Sequence, residues 1–273
     1  MTVFFSVRGG VGSIAAGLCL GGAMPAIAAD LAPHRAIYDV VLSEASERSG
    51  ISDMRGRIAY EFRGSACEGY TTNFRFVTQI AVRGAERVTD QQTTTYEAGD
   101  GSMFRYVTRT FVDRRLDLHV EGTAMRTDEG IVVDRTEPVD DELTLPPAMF
   151  PTEHMIDLIE RAEAGERFYE APIYDGSDEG DRVLTTTVVV GPEKRDEADD
   201  PDAIGALADE PFRNVSVAYF DPADLEGEGL PDYRIAFKMH DSGITRSLEM
   251  DYGDFVIEGT MEELELLEAD ECD

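Results

Sequence analysis

The chain has 273 residues, of which 56 are Asp or Glu and 24 are Lys or Arg, and its formal net charge is −32. Nucleic acids and anionic membrane surfaces carry the same sign of charge, so this composition argues against both as partners. Such an acidic excess is typical of a solvated, salt-adapted surface, and the alternative is a surface that binds basic proteins.

The first 28 residues have the pattern of a secretory signal peptide. Arg8 is the only charged residue before Asp30, an apolar run follows Arg8, and Ala26-Ile27-Ala28 matches a cleavage site. We expect cleavage after Ala28 or Ala29, export to the periplasm, and a mature domain of residues 29–273. The alternative, a buried N-terminal helix, is disfavoured because the run is rich in glycine.

The apolar run of the signal is too short for a permanent membrane helix. No later segment approaches the roughly 20 consecutive apolar residues that such a helix needs. After cleavage we therefore expect no integral membrane segment.

Apolar and polar residues alternate with a period of two along much of the following chain, which predicts strands. In the segment 70–82, for example, Phe74 and Phe76 share one face while Arg75 and Val77 share the other. Up to residue 145 the predicted strands are 36–43, 57–64, 70–82, 86–97, 102–112, 116–121 and 130–135. Glu-Ala-Gly-Asp-Gly at residues 97–101 predicts a turn.

Leu145-Pro-Pro ends this pattern, and one helix is predicted near residues 152–164. Thr152 is the expected N-cap, and Gly165 is expected to end the helix. The apolar stripe consists of Met155, Ile156, Leu158 and Ile159. His154 at the helix start is more typical of a packed or capping residue than of a catalytic one.

Strands resume after the helix, at residues 166–173, 182–191, 212–220, 231–239, 245–252 and 255–264. The segment at about 192–211 is acidic and poor in apolar residues, which predicts a flexible loop between two paired strands. The fold class is therefore all-β, a single domain of thirteen or fourteen strands. That many strands require a curved or closed sheet to protect its edges.

Two cysteines, Cys67 and Cys272, stay in the mature chain, because Cys19 leaves with the signal peptide. An even number of cysteines in an oxidising compartment suggests one disulfide, and two separately buried thiols are the alternative. Neither cysteine lies in a C-x-x-C motif, so no metal site is expected. The histidines show no ligand spacing beside them either; they are His34, His119, His154 and His240.

Motifs of known enzyme classes are missing from the sequence: there is no G-x-S-x-G, H-E-x-x-H, phosphate-binding loop or dinucleotide-binding motif. Residues 175–181 (DGSDEGD) resemble a calcium loop, but Thr186 stands where an EF-hand requires a bidentate Glu, so we predict a polar turn. Neighbouring carboxylates such as Asp140 and Asp141 arise by chance in so acidic a chain. The sequence thus predicts no catalytic residue, no metal and no cofactor.

Five segments and the last cysteine carry a resemblance to a known family. They are LAPHRAIY at 31–38, GSACEGY at 64–70, FPTEH at 150–154, YDGSD at 174–178, DYGDF at 251–255, and Cys272. Together they resemble the EipB family of periplasmic cell-envelope integrity proteins of alphaproteobacteria, over residues 31–272. The resemblance implies a β-spiral, or open barrel, of about fourteen antiparallel strands. It also implies a disulfide between Cys67 and Cys272, a role in maintaining the envelope under stress, and no enzymatic activity.

These observations predict a monomeric, non-enzymatic periplasmic protein that maintains cell-envelope integrity by binding an envelope protein, peptide or lipid. The first alternative is a periplasmic carrier or chaperone for lipids or lipoproteins, and the second is a hydrolase acting on envelope glycans or peptides. Binding on a concave face predicts a cavity lined by apolar residues and by arginines from residues 30–135, where most arginines lie.

Overall fold

The computed structural model describes residues 31–195, 205–207, 210–224, 229–269 and 272. The predicted signal peptide, with its cleavage positions Ala28 and Ala29, lies outside these residues. So do residues 196–204 and 208–209 of the acidic segment. In the part of the chain that is described, no helix has both the length and the apolar character needed to cross a membrane.

The described residues form fourteen strands and one α-helix, α1 (Pro151–Glu163), which lies between β8 and β9. The first eight strands are β1 (His34–Ala45), β2 (Ile51–Ser65), β3 (Gly69–Val82), β4 (Ala85–Glu97), β5 (Met103–Val112), β6 (Arg115–Arg126), β7 (Ile131–Glu137) and β8 (Asp141–Leu145). The remaining six are β9 (Phe168–Ile173), β10 (Leu184–Lys194), β11 (Phe212–Phe220), β12 (Tyr233–His240), β13 (Thr245–Asp251) and β14 (Phe255–Leu266).

All these strands belong to one antiparallel sheet with the order β8-β7-β6-β5-β4-β3-β2-β1-β14-β13-β12-β11-β10-β9. Consecutive strands are neighbours throughout each half, and the two halves meet where β1 pairs with β14. The sheet is curved and unclosed, with β8 and β9 at its ends. The segment that leaves β8 reaches the other end, because the Met149 N–H donates to Pro172 O at 3.0 Å and the Tyr174 N–H donates to Met149 O at 2.9 Å.

Three apolar clusters fill one face of the sheet, which we call the core face; the opposite face is the outer face. In the first cluster Leu158, Ile159 and Ala162 of α1 pack on buried residues of β9 to β12. The second cluster lies on β1, β2, β13 and β14. The third lies on β5 to β7 and includes the buried rings of Phe104, Tyr106, Phe150 and Tyr174. Burial of these side chains provides the main favourable contribution to folding.

The predicted fold class is confirmed, and each predicted strand overlaps an observed one. Strand β8 was not predicted, because Asp-Glu-Leu-Thr-Leu is short and polar and the prolines at 146 and 147 follow it at once. The acidic segment connects β10 to β11, which are antiparallel neighbours.

The N-terminus of α1 corrects one prediction. Thr152 is not the N-cap; Phe150 occupies that position and has no side-chain cap hydrogen bond. Instead the carboxylate of Glu97, at the end of β4, accepts the backbone N–H groups of Thr152 and Glu153 at 2.7 and 2.8 Å. A tertiary contact thus satisfies the helix donors that a local cap would otherwise bind. Gly165 ends the helix with φ +87°, as predicted.

Candidate functional site

A depression of about 450 Å³ lies on β1 to β4, and its volume is within the range of small-ligand sites. The residues that line it are Arg35, Ala59, Tyr60, Glu61, Asn73, Phe74, Arg75, Gln92, Thr93 and Thr94. We call it the outer depression because most of its side chains belong to the outer face.

Strand register explains which residues meet there. Glu61 lies opposite Asn73, and Asn73 lies opposite Thr94 on the next strand. Ala59 lies opposite Arg75 in a parallel row. Side chains of alternate residues point to opposite faces of a sheet, so these rows share the outer face. The row between them, Tyr60, Phe74 and Thr93, faces the core and contributes backbone to the floor.

Ala59 is the smallest residue that lines the depression. Its methyl group is short, whereas Arg35, Glu61 and Arg75 around it carry long side chains. A small residue surrounded by long ones leaves space above the sheet. We therefore expect a larger side chain at position 59 to fill part of the depression.

The charges around the depression are paired with one another. Arg35 contacts Glu61 at 2.5 Å and Glu265 at 2.8 Å, and Glu61 also accepts a hydrogen bond from Arg63 at 2.8 Å. Hydrogen bonds from Arg63 and Arg35 lower the pKa of the Glu61 carboxyl. Because the arginines and carboxylates neutralise each other, this end of the depression does not favour a strongly charged ligand.

The same holds at the other end, where Arg75 binds both carboxylate oxygens of Asp90 at 2.9 and 2.8 Å. The hydrogen bond from Arg75 is the main reason that the pKa of Asp90 is lowered. Such two-point pairs fix the guanidinium plane as well as neutralising it. The two arginines thus form ordered walls of the depression.

Amide and hydroxyl groups complete the lining. Thr94 Oγ1 donates to Asn73 Oδ1 at 3.0 Å, and Gln92 Nε2 donates to Asp90 at 3.1 Å. Each amide has donor and acceptor positions beyond these bonds, and both side chains are exposed. The arrangement can therefore exchange hydrogen bonds with neutral polar groups such as peptide units.

The sequence predicted which strands carry this site more accurately than it predicted which face of the sheet carries it. Arg35 and Arg75 belong to the arginine-rich half, as the cavity prediction required. The side chains of Tyr60 and Phe74 face the core, so they do not give the depression the apolar lining that was predicted. Leu158 of α1 packs against the core face of the sheet, and the depression lies on the opposite face.

The predicted cysteine pair is joined in the structure. Cys67 and Cys272 form a disulfide with a Cα–Cα distance of 5.9 Å, across 205 positions of sequence. Cys67 lies in the turn between β2 and β3, and Cys272 follows β14. Since β14, β1 and β2 are neighbours in the sheet, the bond connects the chain end to the middle of the sheet.

The histidines lie apart from the depression. His154 is buried: its Nε2–H donates to Thr186 Oγ1 at 3.0 Å, and the Thr186 hydroxyl in turn donates to Ala171 O at 2.9 Å. Burial lowers the pKa of His154, so the ring is a packed, neutral residue, as its position at the helix start indicated. Among the described residues, no group of three or more His, Cys, Asp or Glu side chains could hold a metal ion.

The segment that resembles a calcium loop is held together by an arginine. Arg182 contacts Asp178 at 3.0 Å and also pairs with Asp221, while Asp175 accepts the Ser177 N–H at 2.9 Å. The Arg182 guanidinium group thus binds two of the nearby carboxylates, those of Asp178 and Asp221. The segment is a polar turn before β10.

Comparison with known proteins agrees with this architecture. Residues 25–268 match a family model described as EipB-like. The chain belongs to the EipB-like family. It is 48% identical over 250 residues to the cell envelope integrity protein EipB of Brucella abortus (strain 2308), which corresponds to 91% of this chain and 89% of that relative.

A solved structure extends the likeness to three dimensions. This EipB-like protein matches the crystal structure of a β-barrel-like protein of domain of unknown function DUF1849 from Brucella abortus with a TM-score of 0.83 and 48% identity. The match covers 88% of this chain and 99% of the other. The family resemblance inferred from short motifs is confirmed.

Proposed function

We propose that this EipB-like protein maintains the integrity of the cell envelope from the periplasm, without catalysis, by binding a polypeptide component of the envelope in the outer depression. The relative named for cell envelope integrity supports the biological role. The depression of about 450 Å³ on β1 to β4 is the observation that supports binding.

A polypeptide fits the lining better than a lipid does. The ion pairs of Arg35 and Arg75 leave little net charge for an anionic headgroup, and outward-facing side chains provide no long apolar channel for an acyl chain. Asn73, Gln92 and Thr94 offer both donors and acceptors, which match the alternating N–H and C=O groups of a peptide. A volume of this size corresponds to a few residues.

Two further features support the proposed compartment. The first 28 residues have the pattern of a signal peptide, and the disulfide between Cys67 and Cys272 suits an oxidising compartment. Both support export to the periplasm, where a soluble domain can reach envelope proteins.

Filling the depression tests the proposal. We expect Ala59→Trp to abolish complementation of a strain that lacks the gene, measured as survival on detergent-containing medium, because the indole occupies the space above Ala59. Ala218→Trp is the matched control: Ala218 is likewise half-buried on the outer face, on β11, and should complement fully. If Ala59→Trp and Ala218→Trp both fold and complement equally, a role for the depression in binding would be contradicted.

A further inference from the structure

Carboxylates occupy the edges of the two guanidinium groups that line the outer depression. All three side-chain nitrogen atoms of Arg35 donate hydrogen bonds: Nε and Nη2 bind Glu61 at 2.9 and 2.5 Å, and Nη1 binds Glu265 at 2.8 Å. In Arg75, Nε and Nη2 bind Asp90. The side chains of the two arginines are 45% and 57% exposed. The part of each guanidinium group that is most open to a ligand is therefore its flat surface.

A guanidinium group with the same kind of pairing stacks on an aromatic ring elsewhere in this chain. The nitrogen atoms of Arg161 bind Asp157 and Glu166, and its central carbon lies 4.6 Å from the centre of the Tyr169 ring. Pairing with carboxylates is thus compatible with stacking, because it uses the edge of the group and leaves the flat surface free. Among the described residues, no aromatic ring lies over either arginine of the depression.

Ala59 is a neighbour of both guanidinium groups at the base of the depression. It lies opposite Arg75 on β3, and its partner on β1 is Ile37, two residues from Arg35. Residues directly opposite on paired strands have Cβ atoms about 5 Å apart, and diagonal neighbours are about 7–8 Å apart. Both arginine side chains can therefore contact a group that rests on the Ala59 methyl. The depression of about 450 Å³ has room for a ring, since about 150 Å³ is enough for benzene.

We propose that the outer depression binds an aromatic side chain of the partner polypeptide, which lies over Ala59 and stacks on the flat surfaces of Arg35 and Arg75. The inference rests on the proposed function, because it names the part of the envelope polypeptide that the depression selects. A neutral ring suits arginines whose charges are already balanced by carboxylates. An aliphatic side chain of the same size lacks the negative π surface that attracts a guanidinium group.

Two peptides that differ in one ring test the inference on the wild-type protein. Both have the sequence Gly-Gly-X-Gly-Gly with an amidated C-terminus, where X is phenylalanine in one and cyclohexylalanine in the other. Each carries an N-terminal trifluoroacetyl group, whose fluorine NMR signal reports binding. We expect the phenylalanine peptide to bind about fivefold more tightly. A site that selects apolar volume alone gives the reverse order, because the cyclohexyl ring is the more apolar one.

Arginine-to-lysine variants assign this preference to the guanidinium groups. Arg35→Lys combined with Arg75→Lys keeps both positive charges but removes both flat surfaces, so the two peptides should bind this variant with equal affinity. Arg234→Lys is the matched control. Arg234 is 45% exposed, as Arg35 is, and also contacts two carboxylates, but it lies on β12 and does not line the depression. This variant should keep the fivefold preference.

Ala59→Trp separates failure of the inference from failure of the proposed function. The inference is wrong if the wild-type protein binds the phenylalanine peptide no more tightly than the other, or if the double lysine variant keeps the preference. If Ala59→Trp prevents binding of both peptides in that case, the proposed function still stands. Binding of both peptides that persists in Ala59→Trp contradicts the inference and the proposed function together. No binding of either peptide overturns the inference alone, since complementation tests the proposed function separately.

Discussion

Replacing Glu97 with Gln is expected to remove a pH-dependent part of the stability of this protein. Glu97 is 3% exposed, and its carboxylate binds the first N–H groups of α1 through Thr152 and Glu153. Burial raises the pKa of Glu97 from 4.5 to about 7, because the cost of desolvating the carboxylate exceeds the effect of these hydrogen bonds, which favour the charged form.

The sign of the effect follows from proton binding. The folded protein holds the proton on Glu97 more tightly than the unfolded chain does, so protonation favours folding. The stability that this group supplies is present at low pH and is lost as the pH rises from about 4.5 to about 7. At 1.36 kcal/mol per pKa unit, the loss between about pH 5 and pH 8 is about 2.5 kcal/mol. Glutamine stays uncharged, so Glu97→Gln lacks this loss.

Urea unfolding at these two pH values measures the difference. The free energy of unfolding of the wild-type protein should fall relative to that of Glu97→Gln by about 2.5 kcal/mol between pH 5 and pH 8. The buried histidines contribute equally to the pH dependence of stability in both proteins, so their contributions cancel in the difference between the two. Glu160→Gln, an exposed position on α1, is the control and should follow the wild-type profile. Parallel pH profiles for the wild-type protein and Glu97→Gln would refute the reasoning.

Two further substitutions test how the sheet is held together. Cys67→Ser should lower the melting temperature, because opening the bond to Cys272 frees a long loop in the unfolded chain. The expected loss of stability is up to about 5 kcal/mol. Equal melting temperatures of the oxidised and reduced protein in calorimetry would contradict this. Gly176→Ala should lower the urea midpoint, because a Cβ would lie 2.6 Å from the Tyr106 ring and φ is +70°. Gly84→Ala is the control, because Gly84 also has a positive φ, +80°, but open space around it. If Gly84→Ala lowered the urea midpoint as much as Gly176→Ala does, the steric argument would be contradicted.

The fold was predictable because most strands alternate visibly between faces. The segment of β3 is an example, since Phe74 and Phe76 lie on the core side while Asn73 and Arg75 are exposed. Period-two patterns report which residues share a face. The five-residue β8 has too few residues to show the pattern and was missed for that reason.

The site was less predictable because it depends on strand register. In the outer depression Ala59 lies opposite Arg75, and that pairing joins residues of different strands. A sequence shows which residues are arginines but not which small residue they surround. The same limit applies to Glu97, which lies 55 positions before the helix N–H group it binds.

Crosslinking in living cells tests the central claim, that the outer depression binds an envelope polypeptide, most directly. A photo-activatable amino acid at Asn73 places the reactive group in the depression, and the same amino acid at Asn214, which is exposed on the outer face of β11, is the matched control. We predict a discrete crosslinked protein from position 73, identified by mass spectrometry, that is missing from position 214 and is lost when Ala59→Trp is also present. The same product from both positions, or its persistence with Ala59→Trp, would contradict binding in the depression.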